Sequence, residues 1–175
     1  MMKDLLQPLQ EWQNILAGES TMNFPFQTFT ENTDATEAVG KLLAEYILSD
    51  VSSPRFVAMY GDLGVGKTAF VRGFCSEICQ KHTVKSPTFA LVNEYKCSSP
   101  ANGIKSVYHF DMYRITDEDD LYSIGFYDYW LPNAICIAEW CEMIPYALPD
   151  NYIKVEIEKA DLGDRRNINI SLVGV

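Results

Sequence analysis

A chain of 175 residues with 47% hydrophobic content is long enough for one domain with a sizeable core. A net charge of −10 and an isoelectric point of about 4.6 argue against a protein whose main task is gripping a nucleic-acid backbone, though not against service to an RNA pathway through a protein partner. The five cysteines, Cys75, Cys79, Cys97, Cys136 and Cys141, are odd in number and contain no Cys-x-x-Cys pair, which argues against a disulfide framework or zinc site and fits free thiols in a reducing cytosol.

The first stretch, MMKDLLQPLQEWQNILAGES, has one lysine before apolar residues that polar ones interrupt, so it does not read as a signal peptide. Leu5, Leu9, Trp12 and Ile15/Leu16 share a helical spacing that Pro8 weakens. Residues 1–27 are read as an N-terminal extension and 28–175 as a single domain. No apolar run approaches the roughly 20 residues that span a bilayer, and a cytoplasmic protein is expected. In TDATEAVGKLLAEYILSD, Asp34 followed by Glu37 has capping-box spacing, and apolar residues recur at helical period, predicting a helix over 34–49. RFVAMY reads as a buried strand and feeds a glycine-rich turn. KTAFVRGFCSEICQ, with Phe70, Phe74 and Ile78 four apart, predicts a second helix. TFALVNEY, SVYHFDMYR and AICIAEW are further strand candidates, the first two joined by the turn-rich SSPANGIK. DEDDLYSIG predicts a short helix closed by Gly125. YIKVEIEKA and RRNINISLV alternate apolar and polar residues, as an antiparallel pair with one exposed face would. The fold class is α/β: a P-loop domain with a mixed, mostly parallel sheet flanked by helices, and a C-terminal antiparallel strand pair.

The glycine-rich turn carries the chemistry. Gly61-Asp62-Leu63-Gly64-Val65-Gly66-Lys67-Thr68 satisfies G-x-x-x-x-G-K-[ST]. Glycines let successive backbone N–H groups turn inward on phosphate oxygens, and the following helix adds the positive end of its dipole. Lys67 would reach the β- and γ-phosphates, and the Thr68 hydroxyl would ligate Mg²⁺. Guanine-reading proteins carry Asn-Lys-x-Asp; the nearest approach, NEYK from Asn93, lacks that order, so adenine is expected. The arginines, Arg55, Arg72, Arg114, Arg165 and Arg166, make no arginine-rich insert of the kind small-molecule kinases close over phosphates.

A phosphate loop needs a carboxylate for its Mg²⁺ shell at the end of a neighbouring strand. Asp111 and Glu139 both follow apolar runs; the alternative is that each is a surface acid. Glu139 follows the more apolar run and is expected to sit deeper, whereas Asp111 is expected in a polar cluster with His109, Tyr113 and Arg114. His109 reads more naturally as a packed histidine than as a base. Trp140 is either core or a flank of the nucleotide. Pro87 biases Ser86 toward extended geometry and sets Thr88 either as a plain strand entry or as a nucleotide-sensing group.

GDLGVGKTAFVRGF (61–74), VKSPTFALVNEY (84–95), YHFDMYRI (108–115), IGFYDYW (124–130), AEW (138–140) and RNI (166–168) occur in an order that resembles the TsaE (YjeE) family, the small ATPase of bacterial tRNA threonylcarbamoyladenosine biosynthesis. The resemblance covers roughly 28–173. It implies slow ATP hydrolysis with Mg²⁺, the TsaD and TsaB subunits as partners, and contact with tRNA only through them. It also implies Thr68 and Glu139 as metal ligands, Asp111 as support for a metal-bound or attacking water, and Thr88 in a nucleotide-sensing loop. Thr33 would line the adenine pocket and Arg166 would reach the nucleotide from the last strand. Two rival readings remain: a P-loop small-molecule phosphotransferase, and a nucleotide-dependent binding switch with incidental hydrolysis.

Overall fold

Short runs that are apolar on both faces need cover on both sides, and the computed structural model places them at the centre of a seven-stranded sheet. It describes residues 22–79, 83–97, 103–160 and 165–174, so the apolar face proposed for residues 5–16 lies outside them. The strands are β1 (Phe26–Thr30), β2 (Phe56–Tyr60), β3 (Val92–Lys96), β4 (Ser106–Asp111), β5 (Ala134–Glu139), β6 (Tyr152–Lys159) and β7 (Arg166–Val173), in the order β1-β7-β6-β2-β5-β4-β3. The middle four, β6-β2-β5-β4, are mutually parallel; β3 and β7 run against them, and β1 runs against β7. The sheet is therefore mixed, five of its strands pointing one way, and β6–β7 is the expected C-terminal antiparallel pair. β1 was not foreseen, and it begins before the boundary placed at 28.

Period-two alternation splits the central strands between two cores. Val57, Met59, Val107, Ile135 and Ile137 face one side, under α1 (Thr33–Ser49) and α2 (Lys67–Ile78). Phe56, Ala58, Phe110, Cys136 and Ala138 face the other, packed by Leu121 of α3 (Glu118–Ser123), Phe126 and Ile144. No described helix is long and apolar enough to cross a membrane. The expected cap of α1 is corrected: Asn32, not Asp34, is the N-cap, its side chain accepting from the Ala35 N–H at 2.8 Å. Asp34 lies in the first turn, where the helix dipole favours an acid. Glu37 does not close a capping box but reaches Arg72 of α2 at 2.5 Å. TFALVNEY is also shorter as a strand than expected: only Val92 onward is extended, because the Leu91 N–H turns back to the Pro87 carbonyl at 2.7 Å and Leu91 takes φ 63°.

α1 and α2 approach each other through glycine. A methyl at Gly73 would fall on the backbone carbonyl of Glu37, and one at Gly40 on that of Phe70, both well inside van der Waals contact. This close crossing seats the first turn of α2 at the edge of the sheet. On helix propensity alone, Gly73→Ala would stabilise by about 1 kcal/mol. The clash outweighs that, since overpacking typically costs roughly 1–3 kcal/mol. Gly73→Ala should therefore lower the urea midpoint, and a midpoint at or above the parent's would mean the helices part without penalty.

Candidate functional site

The sheet register builds the site. Met59 pairs with Glu139 across β2/β5, and Asp111 pairs with Glu139 across β4/β5. The ends of three neighbouring parallel strands thus lie in a row. The loop following β2 rises beside the two acids, with Gly61, Gly64 and Gly66 at φ 131°, 75° and 110°. A Cβ at Gly61 would collide with the Ile157 carbonyl of β6, so the loop leaves the sheet through a gap only glycine fits.

Lys67 opens α2 and is 4% exposed. Its ammonium donates to the carbonyls of Gly61 and Asp62 and lies 3.7 Å from the centre of the Trp140 ring. Burial lowers its pKa; Glu139, Glu142, Asp111 and Asp62 act against that shift. Trp140 holds its ring there from a left-handed backbone, φ 64°, and Tyr113 packs on it with ring centres 4.8 Å apart.

Glu139 receives two hydrogen bonds on one oxygen. The Thr68 hydroxyl donates to Oε1 at 3.0 Å, and His109 Nε2 lies 2.8 Å from the same atom. The other carboxylate oxygen has no protein partner among the described residues. His109 is fully buried and its Nδ1 has no partner among them either, so the arrangement is satisfied by Nε2–H donating to the carboxylate. Asp111 is tied differently. Its Oδ2 accepts from Ser86 Oγ at 3.2 Å and Thr88 Oγ1 at 3.1 Å, and its Oδ1 from the Tyr113 N–H at 3.1 Å.

Two expectations are corrected here. Glu139 is not the deeper acid, for both are 4% exposed. The polar side-chain cluster around Asp111 does not form as expected: of the three, only Tyr113 reaches Asp111, and through its backbone N–H, while the His109 ring serves Glu139, the Tyr113 ring packs on Trp140, and Arg114 lies over the Phe89 ring at 5.2 Å.

The loop, the two acids and the Trp140 ring line a cavity of about 490 Å³. It brings together Asp62, Leu63, Gly64, Gly66, Lys67, Thr68, Thr88, Asp111, Glu139 and Trp140. Thr33, Val65 and Arg166 lie instead on a second cavity of about 390 Å³ on the other side of the loop, which shares Gly64, Gly66 and Ala69 with the first. Arg166 Nε donates to the Val65 carbonyl at 3.0 Å, tying β7 to the loop. Sequence reasoning missed Ser86 as a member of the site, and it set His109 and Tyr113 near Asp111 without their observed partners, Glu139 and Trp140. Ser86 had a signal, since it precedes the same proline that drew attention to Thr88.

Comparison with known proteins decides the family. The model of the family described as "Threonylcarbamoyl adenosine biosynthesis protein TsaE" matches residues 30–168. The chain belongs to the TsaE family. The matched span encloses every candidate residue from Thr33 to Arg166. A protein of Haemophilus influenzae named tRNA threonylcarbamoyladenosine biosynthesis protein TsaE is 39% identical over 133 residues, covering 75% of this chain and 79% of the relative. The Bacillus subtilis protein of the same name is 34% identical over 146 residues, covering 83% and 84%. The crystal structure of Bacillus subtilis YdiB superposes with a TM-score of 0.63 at 27% identity, covering 89% of this chain and 90% of that one.

His109 gives this TsaE site its most testable contact. Removing the donor leaves a buried carboxylate short of a bond, which costs roughly 1–3 kcal/mol. His109→Phe should lower the urea midpoint accordingly, and His109→Gln, which keeps a donor, should recover part of the loss. Equal midpoints for both variants and the parent would show that the bond holds nothing in place.

Proposed function

We propose that the chain is a Mg²⁺-dependent ATPase that turns over slowly by itself and serves tRNA threonylcarbamoyladenosine biosynthesis by acting on TsaD and TsaB subunits. The observation that carries this reading is the Thr68–Glu139 pair, 3.0 Å apart, at the first turn of a helix that begins in a glycine cradle. A hydroxyl and a carboxylate so placed suit a magnesium ion that takes its remaining ligands from phosphate and water. Among the described residues no group of three or more His, Cys, Asp or Glu could hold a metal by itself, which fits an ion that arrives with its nucleotide. Bound there, the ion would neutralise charge on the phosphates.

The chain's own residues do the rest. Loop N–H groups and the positive end of α2 receive the phosphates. Lys67, now satisfied by two loop carbonyls and the Trp140 face, would exchange those partners for β- and γ-phosphate oxygens. The exchange is favourable because a charge-assisted bond to an anion is roughly twice as strong as one to a neutral carbonyl. Trp140 and Tyr113 line one side of the cavity, where they would limit the access of water to bound phosphates. Asp111 orients the attacking water, and its bonds to Ser86 and Thr88 let that segment respond to the γ-phosphate. The second cavity, with Thr33 and Arg166, is of a size to take the base and sugar.

The same Asp111–Thr88 link favours a second reading, a nucleotide-dependent binding switch. The residue after Thr88 is Phe89, a large side chain 87% exposed, whose position would change with the occupant of the cavity.

Hydrolysis measured with and without purified TsaD and TsaB separates these possibilities. Phosphate release that rises with the partners supports the ATPase reading. Partner binding that needs ATP, with tRNA modification unharmed by a hydrolysis-dead variant, supports the switch. ATP should bind more tightly than GTP in Mg²⁺. Lys67→Ala should abolish turnover with an unchanged circular dichroism spectrum.

Glu139→Ala and Asp111→Ala divide binding from chemistry. Glu139→Ala should weaken nucleotide binding in Mg²⁺ and not in EDTA. Asp111→Ala should lower turnover more than affinity, by roughly 10²-fold or more, as a group acting mainly in the transition state does. The reverse pattern would exchange the two assignments, and no effect in either variant would remove both acids from the site.

A further inference from the structure

At the far end of α2 from the phosphate loop, three elements meet around two sulfurs. Cys79 is the C-cap of α2, its backbone N–H donating to the Cys75 carbonyl at 2.7 Å. Cys97 directly follows β3 and bonds to Lys105 ahead of β4, its N–H donating to the Lys105 carbonyl at 2.9 Å. The two Sγ atoms lie 2.9 Å apart, and Cys79 Sγ also lies 3.4 Å from the Tyr95 carbonyl. We propose that Cys79 and Cys97 form an oxidation site that a peroxide converts to a reversible disulfide.

The geometry is close to that of the product. A disulfide bond is about 2.05 Å long, so the sulfurs need approach by only about 0.9 Å. The two cysteines also differ in the way a two-step oxidation requires. Cys97 is half-buried and open to a small oxidant, whereas Cys79 is 1% exposed. The contact between the two sulfurs holds the Cys97 thiol below its ordinary pKa against the opposing effect of burial, while the same contact and burial push that of Cys79 up. Cys97 is thus the attacking sulfur and Cys79 the resolving one. Cys75, one helical turn earlier, is buried and its thiol is pushed up to about 12, mainly by burial, so it is no competitor for the first step.

In the first step the Cys97 thiolate attacks one peroxide oxygen and the O–O bond breaks. Cys97 becomes a sulfenic acid, and the leaving hydroxide takes up the proton Cys97 had released. In the second, Cys79 sulfur attacks Cys97 sulfur, the S–O bond breaks, and the hydroxide leaves as water with the Cys79 proton. Two thiols are oxidised and one peroxide is reduced to two waters. The bond closes the chain from Cys79 to Cys97 into a covalent loop, and that loop carries Ser86 and Thr88, the two hydroxyls bonded to Asp111. It joins the helix that presents Lys67 to the segment that holds Asp111.

The test uses the full chain, reduced with dithiothreitol, freed of reductant and treated with hydrogen peroxide. Free thiols should fall from five to three as the intact mass falls by two hydrogens. Non-reducing trypsin digestion should link peptide 73–81 to peptide 97–105, with fragment ions placing the bond on Cys79, and dithiothreitol should separate them. Cys75→Ala should still form the link, and neither Cys79→Ser nor Cys97→Ser should. Five persisting thiols would overturn the proposal, as would a gain of oxygen without the linked peptide or a link that survives in Cys79→Ser. The readout is mass and thiol count, so it is independent of whether the chain hydrolyses ATP.

Discussion

The site rests on the register of one strand pair. Because side chains alternate along a strand, Asp111 faces the same side as Val107 and His109, and Glu139 the same side as Ile135 and Ile137. That side is the one α1 and α2 cover, and α2 begins with Lys67 and Thr68. A slip of one residue between β4 and β5 would turn one acid toward the opposite core, where Phe110 and Ala138 now sit. Apolar packing on both faces forbids that slip, so the same residues that make the core fix the position of the carboxylates. The glycine contacts of α1 with α2 complete the constraint by setting how far the first turn of α2 lies from the strand ends.

What was legible in the sequence was local. β2, the loop and α2 could be read because an apolar run, a glycine spacing and a helical period follow one another without interruption. β6 and β7 could be read from alternation. β1 escaped because FQTFT is five residues long and has no turn signal of its own; it is a strand through pairing with β7, at the far end of the chain. The cap of α1 was misassigned because Asn32, Thr33 and Asp34 are all competent caps, and only the backbone decides which carbonyl starts the helix. The strand expected from Thr88 gave way to a tertiary demand. Two hydroxyls there bond to Asp111 across the site, and a straight strand would not let the chain turn at Leu91.

Side-chain partnerships were the least legible. His109, Tyr113 and Arg114 are near neighbours of Asp111 in sequence, yet the side chain of each meets a different group. In β4 the acid and His109 share a face, but the bond that satisfies His109 comes from β5, thirty residues on. The Cys79–Cys97 contact likewise joins a helix end to a strand end and leaves no trace in spacing. Local patterns specify elements; these contacts belong to the way elements are stacked.

Among the described residues two non-glycine residues sit in left-handed backbone, Leu91 and Trp140, and both adjoin the acids. Such a conformation costs on the order of 1–3 kcal/mol and persists only where neighbours enforce it. The enforcement is visible. The Asp111 N–H donates to the Leu91 carbonyl at 3.1 Å, and the Met112 N–H donates to the Glu139 carbonyl at 3.0 Å, so the backbone of one acid's strand clamps each strained turn. Trp140 gains further from Tyr113 and from the buried ammonium of Lys67 under its ring. The strain therefore has a position rather than a scatter: it lies where β4 and β5 end and where the chain must turn sharply to bring an aromatic wall and two hydroxyls around the same pair of carboxylates.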